Sequence, residues 1–166
     1  MKRRGAVIIA ALEVVGGFAG LAIASQLALK SISLPAAALV FGLVGLPMLL
    51  SLRAGQLLWK GEARGRALSM LVQLCQLPVV QLGAFRYDFF VGGRLALLWK
   101  TSDVFPRVDL GAGLSMQFSG PELPTAVGVN LVALWALWYL WRTALPNPQM
   151  QPTGRRGRPS ARASAF

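Results

Sequence analysis

Four long apolar runs constrain this chain more than any other feature: Ala6–Leu29, Leu34–Trp59, Ala67–Phe85 and Leu123–Trp141. A membrane-spanning helix needs about 20 mostly apolar residues, and each run meets that length. The runs carry almost no charge, and basic patches separate them. Hydrophobic residues make up 55% of the chain, against about 45–50% in an ordinary soluble domain. The expected fold class is an α-helical integral membrane protein with four transmembrane helices. An extracytoplasmic two-stranded β-hairpin, about 86–118, would join the third helix to the fourth. This membrane domain would cover residues 1–146, and a disordered basic tail would follow over 147–166.

The charges between the runs orient the bundle. Lys2, Arg3 and Arg4 precede the first run, and Arg53, Lys60, Arg64 and Arg66 stand at the second link. Arg142 and the tail arginines follow the fourth. Residues 86–122 are balanced instead, with Asp88, Asp103, Asp109 and Glu122 against Arg86, Arg94, Lys100 and Arg107. Cytoplasmic loops carry the excess of Lys and Arg, so both termini are expected inside a multi-pass inner (plasma) membrane protein. Trp59, Trp138, Tyr139 and Trp141 would anchor the same interface. Ala22-Ile23-Ala24 is also a signal-peptidase pattern; cleavage there would leave three spans in the same orientation. Net charge is +11. The charge sits at run ends and in the tail rather than on one face, which disfavours nucleic acid as a partner.

"FRYDFFVGGRLALLWK" and "RVDLGAGLSMQF" both alternate apolar with polar residues, the period of a strand with one greasy face. "TSDVFP" between them reads as a short link. Placing Trp99 opposite Val108 aligns both apolar faces and sets Leu97 against Leu110, Val91 against Met116 and Phe89 against Phe118. An interfacial helix over "FFVGGRLALLW" is the alternative. Two strands cannot close a barrel in lipid, so the hairpin is expected outside the hydrocarbon.

Polar residues within spans are costly and mark candidate sites. Glu13, Arg53 and Gln73 fall at similar depth, which suggests a Glu13–Arg53 pair with Gln73 beside it. Ser69, Gln73 and Gln76 share one helix face, and Asn130 lies in the fourth run; these read as a polar face. Gly16, Gly20, Ala24 and Ala28 recur every fourth residue and should let another helix approach closely. Pro47 and Pro78 should bend or loosen their helices. Cys75, the only cysteine, is expected to be a buried inert thiol.

The chain has no histidine, which excludes Ser-His-Asp machinery and the commonest zinc sites. "VGGFAG" is no phosphate loop, since no strand precedes it and no lysine follows. No cofactor is implied and no enzyme activity is expected. The chain is expected to be a small structural or accessory membrane subunit, in contact with the lipid bilayer and with copies of itself or a larger complex. A small oligomeric transporter or channel subunit is the alternative.

Overall fold

The structure, a computed structural model, describes residues 3–31, 33–100, 103–117 and 123–144. Helix α1, Arg3–Leu29, leads to a second continuous helix, Leu34–Trp59. The second comprises α2 (Leu34–Val40), a π turn (Phe41–Gly45) and α3 (Leu46–Trp59). Ser33 caps α2 by accepting the Ala36 N–H at 3.4 Å. The π turn sits just before Pro47, whose ring would collide with the carbonyl four residues back in an unbroken α-helix.

Two of the four expected spans are not spanning helices. The run Ala67–Phe85 divides into α4 (Ala63–Gln76) and β1 (Pro78–Gly83). Pro78 cannot donate to the helical ladder, and the Val-Val pair after it favours extended backbone. The run Leu123–Trp141 divides likewise into β4 (Leu123–Asn130) and α5 (Leu131–Ala144). Val127, Gly128 and Val129 disfavour helix, and Asn130 caps the helix that follows. Helices α4 and α5 have 14 residues each, about 21 Å, short of a hydrocarbon core of about 30 Å. Among the described residues, only α1 and Leu34–Trp59 are long and apolar enough to cross a membrane. The described residues therefore form four helices and a four-stranded antiparallel sheet, and the four-span expectation is overturned.

The expected hairpin is present over residues 85–117 with a shorter link, and it is half of that sheet. Strands β2 (Phe85–Lys100) and β3 (Asp103–Gln117) pair throughout, in sheet order β1-β4-β2-β3. Asp103–Pro106 is strand rather than link, and the helical alternative over Phe89–Trp99 is excluded. The register differs from the expected one by four residues: Leu95 faces Val108, Val91 faces Ala112 and Phe89 faces Leu114. Phe118, the expected partner of Phe89, lies outside the described residues, as does the tail from 145.

Strand β2 is folded at its centre. Gly92 and Gly111 face each other across β2 and β3 with φ of +83° and +113°, a region that glycine enters freely. The N-terminal arm of β2 pairs with β1, its C-terminal arm pairs with β4, and β1 pairs with β4. The result is a V-shaped ribbon whose arms are linked along one edge. Its vertex rests on the middle of α1: a Cβ on Gly16 would lie 2.0 Å from the Gly92 nitrogen. The convex face of the first arm, with Phe89 and Val91, packs on Leu21, Val44 and Met48. A second core joins Ile9, Ala10, Leu58, Ala136 and Leu140 where α4 and α5 pack beside the first half of α1.

Candidate functional site: two buried polar clusters

The first cluster lies where α1, α3 and α4 meet. Residues 69, 73 and 76 fall on one side of α4 because 3.6 residues make a turn, and all three are buried. Gly55 draws α3 against α1; a Cβ there would stand 2.8 Å from the Ala10 carbonyl oxygen. Ser69 Oγ donates to Glu13 Oε2 at 2.7 Å and Gln73 Nε2 donates to Glu13 Oε1 at 3.1 Å. Ser51 Oγ donates to the Glu13 carbonyl at 3.3 Å. The expected Gln73 neighbour is thus in place, but the Glu13–Arg53 pair does not form, and Arg53 is exposed. Depth was matched and azimuth was not. Ser51 faces α1, and two further residues turn about 200° around the helix.

Gln76 and Asn130 sit where the helices give way to the sheet. Gln76 Oε1 accepts the Val91 N–H at 3.0 Å. Asn130 Oδ1 accepts the Val132 N–H at 3.1 Å, and the Asn130 N–H donates to the Leu77 carbonyl at 3.0 Å. Asn130 is therefore a helix cap at a strand end, not a mid-span residue. Gly16 and Gly20 pack within the chain, against Gly92 and Met48. Ala24 is buried and Ala28 half-buried.

The second cluster lies inside the V and was not anticipated. Asp88 and Arg94 are six residues apart, a span of about 20 Å on a straight strand. The fold at Gly92 brings them together: Arg94 Nη1 donates to Asp88 Oδ1. Arg94 Nη2 and Nε both donate to Asp109 Oδ2, the latter at 2.9 Å. The Arg94 side chain is 0% exposed and its guanidinium stands 4.4 Å from the centre of the Phe90 ring, a cation–π geometry. Arg107 Nε reaches Asp109 Oδ2 at 3.0 Å. Burial pushes the Asp109 carboxyl up, but the hydrogen bond and charge of Arg94, with Arg107, outweigh it and hold Asp109 below the usual carboxylate range.

A signal for this cluster was present in the sequence. The register with Trp99 opposite Val108 would also set Lys100 opposite Arg107, and like charges directly opposite are destabilising. The observed register sets Arg94 against Asp109 and Lys100 against Asp103. Apolar faces align equally well in both, because a shift of four residues, an even number, preserves the face.

Between α3, α4 and the first arm lies an apolar cleft of about 490 Å³, with Pro47, Leu71, Cys75, Phe89 and Met116 among its walls. Cys75 is exposed there rather than buried. Tyr87 donates its hydroxyl to the Cys75 carbonyl at 2.7 Å. Burial, then the nearby Cys75 and Asp88, push the Tyr87 phenol above its ordinary value, so the phenol stays protonated as that bond requires. Among the described residues, no group of three or more acidic or Cys side chains converges to hold a metal. Comparison with protein-family models, with curated proteins and with solved structures finds no match.

Proposed function

We propose that the chain is a membrane-bound accessory subunit. Helix α1 and the helix Leu34–Trp59 would cross the bilayer, and the bent sheet would lie beside the half of α1 beyond Gly16. The observation that carries this reading is an inverted distribution of polarity. Glu13, Ser51, Ser69, Gln73, Gln76, Asp88, Arg94 and Asn130 are buried, while large apolar residues on every helix and on the sheet are exposed. On α1 these include Val7, Ile8, Val15, Phe18, Ile23 and Leu27. In water so much contiguous apolar surface is a liability. In hydrocarbon it is the favoured exterior, and polar groups satisfy one another inside.

The accessory role rests on the second arm. On its convex face Val108 is 69% and Leu110 85% exposed among the described residues. Within the described residues β3 pairs with β2 alone, leaving its other edge open. Lipid cannot satisfy an open strand edge, and a neighbouring protein can. The basic residues favour a cytoplasmic location for the end of the bundle where α1 begins and α3 ends.

Alkaline carbonate washing of membranes tests the anchoring: the chain should stay in the pellet, and release into the supernatant would overturn it. In a Cys75→Ser background, Lys100→Cys should react with an impermeant thiol reagent from outside and Arg64→Cys should not. Mass measurement of the complex purified in mild detergent tests the assembly. A co-purifying protein supports the accessory role, and a lone monomer contradicts it.

A further inference from the structure

The concave side of the V carries more positive charge than it uses. Arg86, Arg94 and Arg107 face two carboxylates, Asp88 and Asp109. Arg94 is hydrogen-bonded to both acids and is fully enclosed. The other two arginines are more open. Arg86 Nη2 stands 3.9 Å and Arg107 Nη1 4.0 Å from Asp88 Oδ2, both beyond hydrogen-bond distance. Arg86 Nε is buried with no hydrogen-bond partner, and an orphaned donor of that kind is costly. Each guanidinium has five N–H donors, so both keep donors to spare. Their side chains are 27% and 40% exposed, which leaves the pair open to an approaching ligand.

We propose that Arg86 and Arg107 together bind a phosphate group at the mouth of the V. The two Nη atoms lie within 4.0 Å of one oxygen, so they are at most about 8 Å apart. Charge-assisted N–H···O bonds of about 2.8 Å to two oxygens of one phosphate bridge a gap of that size. Guanidinium forks suit phosphate in particular, because their planar donors match its oxygens. Asp88 Oδ2 lies near both guanidinium groups, but three arginines against two carboxylates leave one positive charge in excess for an added anion. The same chemistry serves a phospholipid headgroup or a free phosphate. The inference stands whether or not the chain crosses a membrane.

The test is titration of the purified full chain with inorganic phosphate in neutral detergent and phosphate-free buffer, followed by calorimetry. Wild type should bind saturably. Arg86→Gln and Arg107→Gln should each weaken binding at least tenfold, Arg107→Lys less, and Lys100→Gln not at all. Circular dichroism of each variant checks folding; if Arg86→Gln does not fold, wild type against Arg107→Gln decides. Vesicles of phosphatidylcholine alone, or with phosphatidylglycerol, separate the two sources. Competition by the phosphatidylglycerol vesicles identifies a headgroup site, and phosphate binding without competition identifies a free-phosphate site. Absence of saturable binding by wild type to either probe overturns the proposal, as does equal binding by the Arg86→Gln, Arg107→Gln double variant.

Discussion

Replacing Arg94 by Met should be the most damaging single change in the sheet, for a reason that can be separated from lost packing. Met keeps much of the side-chain volume but none of the donors. Asp109 would retain Arg107 at 3.0 Å. Asp88, whose side chain is 6% exposed, would keep only Arg86 and Arg107, at 3.9 and 4.0 Å. Stranding one member of a buried pair costs about 3–5 kcal/mol, and that is the expected loss for Arg94→Met. Asp88→Asn leaves Arg94 bonded to Asp109, so it should cost only about 1–3 kcal/mol. The double variant has no stranded carboxylate and should be no less stable than Arg94→Met alone. Unfolding in detergent by denaturant, followed by circular dichroism, gives all three values. The reasoning fails if Arg94→Met costs less than about 1 kcal/mol, or if the double variant loses the sum of the two single changes.

Gly16→Ala should destabilise by about 1–3 kcal/mol, because its Cβ meets the backbone of Gly92 and neither side can yield; Gly42→Ala, with open space around it, should be neutral in the same melt. Glu13→Leu should cost about 1–3 kcal/mol by orphaning Ser69 and Gln73, Glu13→Gln less, and Arg53→Gln within about 0.5 kcal/mol of wild type; a large loss at Arg53 would contradict the hydrogen-bonded Glu13 seen here. In a Cys75→Ser background, cysteines at Leu95 and Val108 should form a disulfide on mild oxidation, whereas Trp99 with Val108 should not. Because the Asp109 carboxyl is held below its ordinary range, its contribution to stability is present above about pH 3.9 and is lost as pH falls through the lowered value. Asp109→Asn should flatten that part of an acid-denaturation curve, and an unchanged curve would count against the Arg94–Asp109 bond.

Local pattern alone determined several features of this protein. The first two apolar runs are continuous helices because nothing in them stops a helix; Pro47 is absorbed by a π turn. Alternation found β2 and β3 and the apolar face that Phe89 and Val91 bury in the first arm, whereas the same face of the second arm, with Val108 and Leu110, is exposed. Spacing put Ser69, Gln73 and Gln76 on one helix side, and small residues marked where α1 is approached. Hydropathy could not tell a spanning helix from a strand followed by a short helix, since Ala67–Phe85 and Leu123–Trp141 are apolar in either conformation. The breaks at Pro78 and Asn130 were visible, but only packing against the sheet made them decisive. Tertiary structure alone decided the partners. Glu13 takes Ser69 and Gln73 because α4 presents them to it, while Arg53 at equal depth points the other way. Asp88 meets Arg94 because two facing glycines fold the ribbon. Separation along a strand sets a distance only while the strand is straight, and straightness is a property of the whole sheet rather than of the residues that lie along it.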